Sequence, residues 1–136
     1  MSHLQYGEVV TVMLTVLPEV KSRYDAWQAD CGPEVLPHLV IGCVLEPFAK
    51  ELFKSGTDEG QRGRACAFFE DMASSSDHEV VNLLAVEIFE SWIGEPETLA
   101  QAWNCFGERT KEVATDMAHR RCLGKNLPRR WWQPSF

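Results

Sequence analysis

The sequence contains no G-x-G-x-x-G, no Walker A and no G-x-S-x-G, so nucleotide binding and serine hydrolysis have no motif to rest on. Gly60 and Gly63 with Arg62 and Arg64 make only a G-x-x-G, and they fall in the opening turns of a predicted helix. Metal-ligand spacing is missing too. His3, His38, His78 and His119 are far apart, and no Glu stands three residues before any of them, as a helical di-iron site requires. Cys31, Cys43, Cys66, Cys105 and Cys122 are odd in number and include no C-x-x-C, which excludes a secreted disulfide framework. Cys43, Cys66 and Cys105 lie in apolar helical stretches and read as small hydrophobes.

Long apolar runs are equally lacking. The longest is about seven residues, Leu39 to Leu45, where a bilayer span needs about 20. The apolar run Val9 to Leu17 follows Glu8 instead of a basic segment, and no small-residue cleavage site comes after it. The reading is a cytoplasmic, reduced protein with no membrane role. Basic residues are scarce, 13 against 20 acidic, for a net charge of -7. That is a poor composition for neutralising phosphates, so nucleic acid is not an expected partner.

What is present is an apolar, charge-divided chain. At 136 residues and 45% hydrophobic it makes one domain with a core. From His119 onward there are five basic residues and no acidic one, so residues 1–118 carry a net of -12. The division suggests a helical domain over 1–123 and a basic tail over 124–136. Such a tail either folds back on the body or reaches a partner.

No alternating run reads as a strand, whereas helical spacing recurs. Helices are predicted at about 4–16, Pro18 to Gln28, 34–54, 58–74, 77–93, 96–106 and 108–121. Pro18 and the Glu95-Pro96 step suit helix starts, and Asp58 and Asp77 are N-cap residues. Ile41, Val44, Leu45, Phe48 and Leu52 share one face, and Pro47 inside that pattern predicts a kink. The fifth helix is apolar along Val81, Leu84, Ala85, Ile88, Phe89 and Trp92, and again at Leu83 and Val86. Leu83 and Val86 are either second-layer core or a partner surface. The expected fold is all-α, an irregular antiparallel bundle of about seven helices. The fourth and fifth helices resemble one HEAT or armadillo repeat, although no second copy recurs at a fixed period.

Paired carboxylates are frequent: Glu70 with Asp71, Glu87 with Glu90, Glu95 with Glu97. Acid–base catalysis needs one of them driven to an unusual pKa in a cleft, which a pattern does not provide. A collective acidic surface needs no special geometry and steers a basic protein partner. Glu70, Asp71, Glu87, Glu90 and Glu95 are therefore candidate partner contacts. Trp131 and Trp132, beside Arg129 and Arg130, are candidate anchors, because Trp and Arg dominate interface energetics. No catalytic residue, metal ligand, cofactor or small-molecule substrate is expected.

The runs Phe68-Phe69-Glu70-Asp71-Met72, Asp77-His78-Glu79-Val80-Val81-Asn82-Leu83-Leu84 and Phe106-Gly107-Glu108-Arg109-Thr110-Lys111, with Glu87-Ile88 and Glu90, resemble a group of small helical bacterial proteins. Many of these are immunity proteins encoded beside polymorphic toxins. The resemblance covers about residues 34–118, and the Trp-containing tail departs from it. It implies a non-enzymatic inhibitor that binds one cognate toxin domain and occludes its active site. A HEAT-like adaptor in a host complex is the alternative expectation.

Overall fold

The computed structural model of the protein describes residues 2–32, 36–56 and 58–128. Seven helices carry the fold, and no strand occurs among the described residues. Helix α1 (residues 6–16) opens with the 3-10 turn Tyr6–Glu8 and continues as Val9–Val16. Val9, Met13 and Leu17 recur every fourth position and are fully buried. Pro18 sits in the first turn of α2 (18–31), where its missing N–H costs nothing, and Gly32 at φ 89° ends that helix.

Helix α3 (37–55) is Pro37–Val40, a π turn over Ile41–Leu45, and Glu46–Ser55. The irregularity expected at Pro47 is thus a π turn just before it, in which the Glu46 N–H donates to the Ile41 carbonyl. Gly56 then stops the helix in the left-handed region. Helix α4 (Glu59–Ala73) is capped by Asp58, whose carboxylate accepts from the Gln61 N–H at 2.9 Å. Gly60 and Gly63 lie within this helix and form no loop.

Helix α5 (78–92) repeats the irregularity of α3. It runs His78–Leu83, turns through a π segment at Leu84–Phe89 and finishes at Glu90–Trp92. Its cap, Asp77, accepts from the Glu79 N–H at 3.0 Å and from the Tyr6 N–H at 2.9 Å, so one carboxylate starts α5 and fastens the N-terminal segment. Ser2 forms an isolated parallel bridge with Ser75 at the same corner. Helices α6 (Pro96–Trp103) and α7 (Glu108–Arg120) complete the bundle. Helix α6 ends earlier than its apolar pattern predicts, because Phe106 reaches the core from the turn that follows.

Helix α5 is central: its π turn packs on that of α3 and on α7, and the helix also meets α4 and α6. Beneath it Phe53, Phe69, Phe89, Trp92, Trp103 and Phe106 form one aromatic cluster, mostly edge to face, with centroids 5.5 to 6.5 Å apart. Of the cysteines read as small hydrophobes, only Cys66 is buried; Cys43 and Cys105 are exposed. The opening residues of the basic tail lie on the body. Asn126 Nδ2 donates to the Ile93 carbonyl at 2.7 Å, and Leu127 is buried.

Candidate functional site

An open groove of about 440 Å³ runs between α3 and α5 where their π turns face each other. A π turn holds one more residue than an α turn and re-aims the side chains around it. In α3 the turn presents Gly42, and in α5 it presents Glu87. A Cβ on Gly42 would stand 2.5 Å from Glu87 Oε1, so the absence of a side chain there lets the carboxylate lie across the α3 backbone. The other oxygen, Oε2, is 3.1 Å from His38 Nδ1, and the Tyr6 ring lies 5.8 Å from the His38 ring.

Leu39 and Val86 supply the apolar part of the lining, and Glu46 and Glu90 supply further charge. Leu39 is 48% exposed and Leu36, one turn earlier, 51%; they are the large apolar side chains most open to solvent among the described residues. Lys50 lies 3.5 Å from Glu46 Oε1 and donates to Glu95 Oε2 at 2.9 Å, while Arg121 pairs with Glu90. Four carboxylates therefore meet two cations, and the groove keeps a negative balance. Glu46 Oε2 is buried with no hydrogen-bond partner among the described residues.

The titration behaviour suits binding by fixed charge. The hydrogen bond from Lys50 holds the Glu95 carboxyl below its ordinary value against the opposing effect of burial. The same contact raises the Lys50 ammonium. Both groups stay charged across neutral pH, and a carboxylate so held is no proton donor. Among the described residues no cluster of three or more His, Cys, Asp or Glu is placed to hold a metal ion.

The predicted contact residues separate into different places. Glu87 and Glu90 line the groove, and Glu95, the N-cap residue of α6, stands outside the lining and accepts from Lys50 and from Ser91, which does line it. Glu70 lies elsewhere, on α4, with its carboxylate at the start of α7. It accepts from the Arg109 N–H at 3.2 Å, the Thr110 N–H at 2.9 Å and the Thr110 hydroxyl at 2.7 Å. Burial pushes the Glu70 carboxyl up, but these bonds and the Arg109 charge outweigh it and hold the carboxyl low. Glu70 thus caps α7 in place of Gly107, which has no side chain to do so. Asp71 is exposed on α4 with no partner among the described residues. Trp131 and Trp132 lie outside the described residues.

Leu83 and Val86, read together from sequence, also part: Leu83 is fully buried and Val86 is half-buried in the groove. His38, Gly42 and Glu46 were not singled out as contacts by sequence reasoning. The available signal was Gly42, an isolated glycine in an apolar helical run, which marks close packing.

The fold and groove define an all-α protein with an acidic, partly apolar cleft. Residues 10–122 match the model of the family described as a domain of unknown function, DUF7674, and the chain belongs to that family. No curated protein and no solved structure matches it. Every groove residue falls inside the family match.

Proposed function

We propose that this DUF7674 protein is a non-enzymatic immunity protein that binds a cognate bacterial toxin domain and blocks its active site. The groove between α3 and α5 is its docking face. The observation that supports this is the negative balance of Glu46, Glu87, Glu90 and Glu95 against Lys50 and Arg121 beside an apolar strip. A toxin that acts on nucleic acids or nucleotides presents a basic cleft. An acidic partner speeds encounter with such a cleft, and apolar contact then slows release. In this reading the protein works in the cytoplasm, where its thiols stay reduced, and needs no cofactor, metal, nucleic acid or small-molecule substrate.

The test is expression of the protein encoded by the neighbouring gene, alone and together with this chain. The expected result is toxicity alone, rescue by co-expression and copurification of the pair. A harmless neighbour, or a toxic one that neither binds nor is neutralised, overturns the proposal.

A second reading, a HEAT-like adaptor in a host complex, is favoured by exposed Leu36 and Leu39 beside Val86, an edge that suits the apolar face of a partner helix. Recovery of a housekeeping complex on purification, together with a harmless neighbour, selects this reading.

A further inference from the structure

We propose that Cys66 and Cys105 form a reversible disulfide on exposure to hydrogen peroxide, which makes the contact between α4 and the α6–α7 turn a redox modification site. This lies apart from the groove and does not depend on the docking role.

Cys66 stands on α4 at 4% exposure, and Cys105 is exposed in the turn after α6. The Cys105 thiol donates to the Arg62 carbonyl at 3.5 Å. Arg62 is one helical turn before Cys66 on α4, so its carbonyl points along the helix toward Cys66. Cys105 Sγ is thereby held beside the turn of α4 that leads to Cys66. Burial, and then the Cys105 thiol, push the Cys66 thiol up, while the Arg62 guanidinium acts in the opposite direction. Arg62 Nε is buried with no hydrogen-bond partner among the described residues, while another nitrogen of the guanidinium lies 3.9 Å from Glu59 Oε1.

The arrangement separates the two chemical roles. Peroxide reaches the exposed sulfur and not the buried one. The Cys105 thiolate attacks one peroxide oxygen, the O–O bond breaks, and hydroxide leaves to be protonated to water, giving a sulfenic acid. Cys66 sulfur then attacks the Cys105 sulfur. The S–OH bond breaks, the Cys66 proton joins the departing hydroxide as water, and the S–S bond forms. In sum two thiols and one peroxide yield one disulfide and two waters. The bond would tie α4 to the corner where Glu70 caps α7.

The test uses the full chain carrying Cys31→Ser, Cys43→Ser and Cys122→Ser, with folding checked by circular dichroism. After treatment with about one equivalent of hydrogen peroxide, titratable thiols in denaturant should fall from two to none. Peptide mapping should join the segments holding residues 66 and 105 within one chain, and a dithiol should restore both. Sulfinate on Cys105 with Cys66 still alkylated, or a bond between separate chains, overturns the proposal. Should the substituted chain not fold, the same mapping on the unsubstituted protein decides: its five thiols fall to three with the same linkage, or the linkage is absent and the proposal fails.

Discussion

Cys122 is the one non-glycine residue with positive φ among those described, at 57°. It occupies the left-handed position of a Schellman cap. The Leu123 N–H reaches the Ala118 carbonyl at 2.8 Å, and the Cys122 N–H reaches the His119 carbonyl at 3.1 Å. A side chain is strained there, so Cys122→Gly should stabilise the protein by about 0.5–1 kcal/mol. Urea unfolding measures this, and a lowered midpoint would contradict it. Glu19 offers a test by titration. Arg64 donates to both of its oxygens, at 2.8 and 2.7 Å, and that hydrogen bonding holds the Glu19 carboxyl at about 2 instead of 4.5. A lowered native pKa gives stability that is complete above 4.5 and lost as pH falls toward 2. In Arg64→Ala, NMR titration should return Glu19 to the ordinary carboxylate range.

At the scale of elements, α7 depends on a cap borrowed from α4. A Cβ on Gly107 would stand 2.5 Å from Glu70 Cδ, so Gly107→Ala must move the whole carboxyl and disrupt its bonds to Arg109 and Thr110. The expected cost is about 1–2 kcal/mol, typical of a lost cap, read by thermal or urea unfolding with faster amide exchange at the start of α7. Local chemistry made most elements legible in advance: Asp58 and Asp77 cap where they were expected to, and Pro18 and Pro96 open helices. The π turns were not legible, because one extra residue barely disturbs an apolar pattern within a single turn. Their effect is a slip of the buried face. In α3 the core takes Ala49 and Phe53 while Phe48 is only half-buried; in α5, before its π turn, it takes Val80 and Leu83 and leaves Val81 half-exposed.

For the molecule as a whole, the acidic character was legible and its location was not. Glu70, Asp71, Glu87, Glu90 and Glu95 look alike in sequence, yet Glu70 is occupied inside the fold and Glu87 faces His38, 49 positions away. Only the packing of α3 on α5 assembles a groove from such distant segments. If that groove docks the partner, Glu87→Lys with Glu90→Lys should weaken binding at least tenfold, since like charges replace complementary ones. Asp71→Lys, elsewhere on the surface, should have little effect. Calorimetry with the purified partner separates the two, and equal losses would move the docking face away from the groove.

The paired π turns also bear on how the chain tolerates changes in length. Removing one residue from a regular helix rotates everything beyond it by about 100° and turns its core face to solvent. Between Leu84 and Phe89 the outcome differs, because α5 carries one residue more than an α-helix would use there. Without it, Val80, Leu83 and Leu84 fall into α-helical register with Ile88, Phe89 and Trp92. A single-residue deletion at this point is therefore absorbed by the helix, and its cost falls on the perch of Glu87 over Gly42.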